Sequence, residues 1–127
     1  MLITPDGGDQ MEVYGILTTD LPKNDRGQEK LFPASGTLAG KEKVYPAALN
    51  STDITIDALY DKANFLAVLA LSGLALDLVI TVSDADPSEI VYTCTGSMKT
   101  AGQTKVDAKN RMHCDYVFTI DAGWTAA

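Results

Sequence analysis

The stretch DITIDALYDKANFLAVLALSG at residues 53–73 runs straight into ALDLVITVSD at 75–84, EIVYTCTGSM at 89–98 and AKNRMHCDYVFTIDAGW at 108–124. Apolar and polar residues alternate around Ile54 and Ile56 and again through the last three segments, which is the period of half-buried strands. Between them residues 62–72 break the alternation and read as one short helix. Asp61 is its expected N-cap and Gly73 its stop, and Ala63, Leu66, Ala67, Ala70 and Leu71 share one face. Phe65, Val68 and Leu69 lie outside that face, so the helix is apolar around most of its circumference and needs cover on more than one side. One sheet covers one side. A neighbouring subunit meeting Phe65, Val68 and Leu69 is expected to cover the other.

The three closing strands are expected at 75–83, 89–98 and 105–121, the last with a bend or bulge in its first half. A hairpin centred near Thr104 would set Ile90 against Phe118, Tyr92 against Tyr116, Cys94 against Cys114 and Gly96 against Met112. All of these lie on the apolar face, and a slip of one residue would turn that face outward. Asp84 to Pro87 makes the first connection, and Gly102 marks the tip of the second.

Upstream the pattern is weaker. Residues 1–10, with Pro5 and Gly7-Gly8, read as a flexible arm, and MEVYGILTT at 11–19 as a first strand. The segment DLPKNDRGQEKLFP at 20–33 has no sustained period and reads as a long loop, of a length usually functional or disordered. Leu31 and Phe32 at its end either dock on something or tuck under their own domain. SGTLAG at 35–40 is a turn-rich connector and KEKVYPAAL at 41–49 a short strand, where Pro46 points to an edge or a bulge. Six or seven strands and one helix in this order predict a single mainly β (α+β) domain over 1–127. Its expected form is an antiparallel β-sandwich or partly closed barrel with one flanking helix.

Composition narrows the function. With 127 residues, 46% hydrophobic and 21% charged, the chain can bury one core. Its net charge of −7 opposes general affinity for phosphate backbones. The longest apolar run, Phe65 to Leu71, is far short of the ~20 residues that span a bilayer, and the N-terminus lacks the basic and apolar regions of a secretory signal, so a cytoplasmic chain without membrane contact is expected. Cys94 and Cys114 are then expected to be reduced core thiols rather than a bridge.

No catalytic residue, metal site or cofactor is expected. His113 stands beside Cys114 and Asp115, but successive strand residues point to opposite faces, so His113 and Cys114 cannot meet. Asp84, Asp86 and Glu89 could offer oxygen ligands to calcium but lack the glycine and ligand spacing of a calcium loop, so an acid-rich turn is the better reading. The polar strand positions carry more information. Asp53, Asp77, Glu89, Asp115 and Asp121 occupy them with several threonines, without Lys or Arg. Residues 51–98 hold seven acids and one base, whereas 99–127 hold three acids and four bases. A merely solvated sheet face usually mixes Lys with Glu. This one is expected to stay acidic or avoid anions.

A short strand, a helix ending in glycine, and three long strands, over Thr52 to Trp124, resemble the major tail tube proteins of long-tailed bacteriophages. The likeness is carried above all by FLAVLALSGLALDLVITV and MHCDYVFTIDAGW. It implies hexameric rings stacked into a hollow tube, with an inner sheet continuing from subunit to subunit. The face of Asp53, Asp77, Glu89, Asp115 and Asp121 would line a channel through which DNA passes without specific binding. Lys23, Asp25, Arg26, Glu29, Leu31 and Phe32 would contact the neighbouring ring. The partners implied are further copies of the chain and other tail proteins, first in the host cytoplasm and then in the virion tail. Rival readings are a tube subunit of a contractile injection or type VI-like secretion system, a capsid decoration protein, and a small monomeric β domain that binds a ligand or saccharide. For that last reading Trp124 is the one aromatic free to act as a platform, unless it closes the bottom of the core.

Overall fold

The computed structural model describes residues 1–31, 43–82 and 89–127, with residues 26–31 and 43–49 described through their backbone alone. Ten strands and one helix follow in the order β1 (Leu2–Pro5), β2 (Met11–Glu12), β3 (Ile16–Thr19), β4 (Asp25–Leu31), β5 (Lys43–Asn50), β6 (Thr52–Leu59), α1 (Lys62–Leu69), β7 (Leu76–Val82), β8 (Ile90–Val106), β9 (Met112–Ile120) and β10 (Thr125–Ala126). Eight strands form one sheet in the order β2-β1-β7-β8-β9-β6-β3, with β10 added on β8, and β4 and β5 form a separate two-stranded sheet. Every pairing is antiparallel. The mainly β architecture with one helix is as expected from the alternation, but the path β2 to β3 is an open sheet rather than a closed barrel.

Period two explains the core. Ile54, Ile56 and Ala58 of β6, Leu76, Leu78 and Ile80 of β7, Cys94 of β8 and Cys114, Tyr116, Phe118 and Ile120 of β9 are all buried on one face. Helix α1 closes that face with Val68, while Phe65 packs at its margin against Tyr60 and Tyr116, ring centroids 5.3 and 6.2 Å apart. Asp61 caps the helix by accepting from the Asn64 N–H at 3.1 Å, and Gly73 ends the following turns at φ 83°. Both roles were legible in the sequence.

Three expectations are corrected. Residues 1–10 are not a free arm: Leu2–Pro5 pairs with β7, and Ile3 is wholly buried. The first strand at 11–19 is broken at Gly15, whose φ of 69° sends β2 to β1 and β3 to β6. Half of the supposed loop at 20–33 is β4, paired with β5 into a hairpin arm, with the irregularity foreseen at Pro46 lying beside its partner Gln28. Phe32, the connector at 35–40 and the turn Asp84 to Pro87 lie outside the described residues.

The hairpin register is also corrected. Gly96 faces Ile120, eight residues beyond the expected Met112, and the pairing continues through Met98–Phe118 to Val106–Met112 with two irregularities, at Met98/Thr100 and Gln103/Lys105. Cys94 lies opposite Leu78, and Cys114 lies opposite Ala58 on one side and Gln103 on the other, so the thiols do not face each other and both are free. An even slip keeps every side chain on its own face, so alternation alone cannot exclude it. The turn decides. Asp107 Oδ1 accepts from the N–H groups of Lys109 (2.8 Å) and Arg111 (3.0 Å), and Asn110 adopts φ 59°. Asp and Asn suit these positions because their short polar side chains bond locally and tolerate the left-handed region. Gly102, the expected tip, lies within β8.

Candidate assembly surface

The polar face of the large sheet gathers most of the expected acidic residues. Asp77 is opposite Thr95, Thr119 opposite Asp53, and Asp57 opposite Asp115. Directly opposed residues share a face, so Asp53, Asp57, Asp77, Asp115 and Asp121 all project to the side away from the core. Asp77 and Asp121 are exposed and, with Asp6 and Thr95, line one shallow cleft beside Gly96, where Thr95 Oγ1 donates to Asp121 at 3.0 Å. Asp115 is half-buried. Glu89 is exposed just ahead of β8, apart from the others.

The face is not free of bases. Lys99 Nζ sits 2.7 Å from Asp53 Oδ2, and Thr119 Oγ1 donates to Asp53 Oδ1 at 2.7 Å. The hydrogen bond from Lys99, then that from Thr119, hold the Asp53 carboxyl below its ordinary value. Lys105 stands opposite His113 on the same side. Lys99 escaped the sequence reading because the middle strand is expected to end at Met98, whereas β8 runs on to Val106; Lys105, expected at the start of the last strand, belongs to β8 instead.

His113 was a residue whose partners the sequence did not indicate. Cys114 points into the core, its Sγ 3.3 Å from the Tyr116 hydroxyl, while His113 is buried on the opposite face between Asp57 and Asp107. Burial pushes the Cys94 thiol up to about 11 and raises Cys114 and Tyr116 as well. These groups therefore stay protonated at neutral pH and offer no nucleophile. Among the described residues no group of three or more His, Cys, Asp or Glu side chains is arranged to hold a metal ion.

The helix presents a different outer face from the one expected. Val68 is fully buried and Phe65 half-buried in the chain's own core, so they are withdrawn from the surface assigned to a neighbour. Leu69 remains, 39% exposed, joined by Leu66 at 50% and by Ala63, Ala67 and Ala70. The eight-residue helix is so uniformly apolar that its periodicity could not tell the inner side from the outer.

Lys23 and Asp25 are exposed at the root of the β4–β5 arm, which carries Arg26, Glu29 and Leu31 in its first strand. The root is tied down. Asp20 exchanges backbone and side-chain hydrogen bonds with Thr55 (3.0 and 3.1 Å), and the Trp124 indole donates to the Lys23 carbonyl at 3.3 Å while packing on Tyr92, centroids 5.8 Å apart. Trp124 thus braces the arm against the sheet.

The sheet, helix and arm define a mainly β, α+β fold, and this fold is shared with solved structures. The chain is similar to a chain of the sheath–tube complex of an extracellular contractile injection system, PVC, in its extended state. The TM-score is 0.64 with 12% identity, over 99% of this chain and 86% of that one. It is also similar to a chain of the sheath/tube terminator of the same system, with a TM-score of 0.60 and 9% identity, over 99% of this chain and 91% of the other. The tube-like fold read from the strand and helix order is therefore shared with contractile injection machinery. No family model matches the chain, and no curated protein matches it in sequence. Among the described residues no helix is long and apolar enough to cross a membrane.

Proposed function

We propose that this chain is a non-enzymatic structural subunit whose copies close into hexameric rings, and that the rings stack into the hollow tail tube of a bacteriophage, through which DNA passes. The observation that carries the reading is the open sheet. Beyond Gly96, residues 97–106 of β8 have β9 on one side and, among the described residues, no strand on the other, and β3 ends the sheet at its far margin. Long unpaired edges are templates for pairing with another chain, and ring closure removes them. The polar face, whose acids outnumber its bases and pair Lys99 with Asp53, then turns toward the channel, and a wall that is acidic on balance offers a polyanion few cationic contacts and lets it slide. Other tail proteins would be partners, with assembly in the host cytoplasm preceding a place in the virion tail. A second reading, a tube subunit of a contractile injection system, is favoured by the systems whose chains share the fold.

Sedimentation and electron microscopy of the purified protein at high micromolar concentration test the assembly. Rings or filaments are expected, and a sharp 13.5 kDa monomer peak without filaments overturns the proposal. The channel wall is tested by replacing Asp77, Asp115 and Asp121 with Lys. Exposed charges such as Asp77 and Asp121 usually change stability within about 0.5 kcal/mol each, and the half-buried Asp115 should cost more, so Asp77 and Asp121 replaced alone serve as the control in which folding and assembly are expected to persist. DNA affinity should rise and fall steeply with salt, and particles should eject their genome more slowly. Assembled particles that eject as fast as the parent would remove this face from the conduit.

A further inference from the structure

Beyond His113 the β8–β9 hairpin is only two strands wide. Leu59 of β6 pairs with His113, the next residue, Tyr60, bonds its N–H to the Met112 carbonyl at 2.8 Å, and from there the tip extends alone. A two-stranded ribbon is marginal in water without further support. Val106 and Met112, the last pair before the turn, are 57% and 38% exposed, so apolar packing holds the tip weakly. Backbone bonds from Asp107 N–H to the Arg111 carbonyl (2.9 Å) and from Asn110 N–H to the Asp107 carbonyl (3.0 Å) close the turn on itself, and the side-chain ties that join it to the strands are ionic. His113 Nδ1 lies 3.2 Å from Asp57 Oδ1 on β6, and His113 Nε2 lies 3.0 Å from Asp107 Oδ2 in the turn. The same Asp107 carboxylate accepts from Arg111 Nε at 2.8 Å and from the two backbone N–H groups that shape the turn.

A carboxylate is an acceptor only, and a neutral imidazole carries a single N–H. Both contacts are hydrogen bonds only when the ring carries two protons. We propose that Asp57, His113 and Asp107 form a proton-dependent latch that fixes the β8–β9 tip to β6 while His113 is an imidazolium and frees it when the ring becomes neutral. The charged groups around the ring are Asp57 from β6, Asp107 and Arg111 from the turn, Lys105 from β8 and Asp115 from β9, with Asp61 engaged at the helix N-cap. The two carboxylates lie on opposite ring nitrogens, so they clasp the ring instead of converging on an ion. This inference concerns the folded subunit and stands whether or not the chain builds tubes.

The direction of the pH effect follows. Hydrogen bonds donated to Asp107 and then to Asp57 outweigh burial and raise the His113 titration above its ordinary value. The latch is therefore fully closed below about pH 6.5, the unfolded histidine value, and is lost as the pH rises through the higher folded midpoint. Asp107 is held far below the usual carboxylate range, by His113 first and then by the Arg111 backbone, so the arm of the latch that joins the turn to His113 withstands acid.

His113 is the chain's one histidine, so its ring nitrogens give an unambiguous NMR titration. The midpoint should lie above 6.5, with both nitrogens protonated on its acid side. Across that midpoint, the protection of the Lys109 and Arg111 amides against exchange, corrected for intrinsic base catalysis, should fall about tenfold while far-UV circular dichroism holds. Asp57→Asn should bring the midpoint down toward the ordinary histidine value. A midpoint at or below 6.5 in the unaltered chain, or protection unchanged across the transition, overturns the latch, and neither reading depends on the variant folding.

Discussion

Excising residues 26–49 and joining Asp25 to Asn50 through Asn-Gly should give a soluble, folded protein that forms no stacked filaments. Asp25 and Asn50 are already partners across the β4–β5 ladder, so a two-residue hairpin turn closes the gap without moving either end. The arm shares no ladder with the large sheet, and its root is retained, including the Asp20 bonds to Thr55 and the Lys23 carbonyl that receives Trp124. The melting midpoint should therefore stay within about 5 °C of the parent, corresponding to roughly 1 kcal/mol. Assembly should stop at single rings or smaller species by sedimentation and electron microscopy. Filaments as long as the parent's would remove the arm from the stacking contact. An insoluble product would instead show that the arm stabilises its own subunit.

The second large effect is expected at Gly96. At this residue β8 ends its pairing with Leu76 of β7 and begins its pairing with Ile120 of β9. A Cβ built there collides with the Thr119 carbonyl and comes within 3.0 Å of the Ile120 Cα, backbone atoms that cannot rotate aside. Gly96→Val should cost about 3 kcal/mol, at the upper end of ordinary overpacking, out of a total that is typically about 5–15 kcal/mol. Chemical denaturation should show a sharply lowered midpoint, or the protein should fail to accumulate. Gly102→Ala, where an added Cβ meets nothing within 4 Å, is the control and should lie within about 0.5 kcal/mol of the parent. A Gly96→Val protein with the parental midpoint would refute the close approach.

The parts of this fold that were readable in the sequence are those where one face is buried. Ile54 and Ile56, Leu76 to Ile80, and Cys114 to Ile120 alternate because the core removes every second side chain from water, and alternation records that directly. Ile3 is buried in the same way in β1, but one core residue in a strand of four beside Gly7 is too little to show a period. The β4–β5 arm is a two-stranded ribbon, and its sequence at 25–31, DRGQEKL, shows no alternation to betray a strand. The hairpin register was hidden because alternation repeats every two residues, whereas DAKN at 107–110 carried the turn chemistry that resolves it. Most of the acidic positions were visible as a set. Lys99, the partner of Asp53, depended on how far β8 runs, and the clasp on His113 depended on the turn that brings Asp107 to it.

The brace between Trp124 and Lys23 gives the protein a built-in optical probe. The chain has a single tryptophan, so its indole fluorescence, excited selectively beyond the tyrosine band, comes from one side chain whose donor rests on the peptide carbonyl at the base of the arm and whose ring leans on Tyr92. Indole emission responds to the polarity and hydrogen bonding of its surroundings. A reorientation of the arm is thereby written into the colour of the light the unlabelled protein emits, at a site about a hundred residues along the chain from the segment that moves.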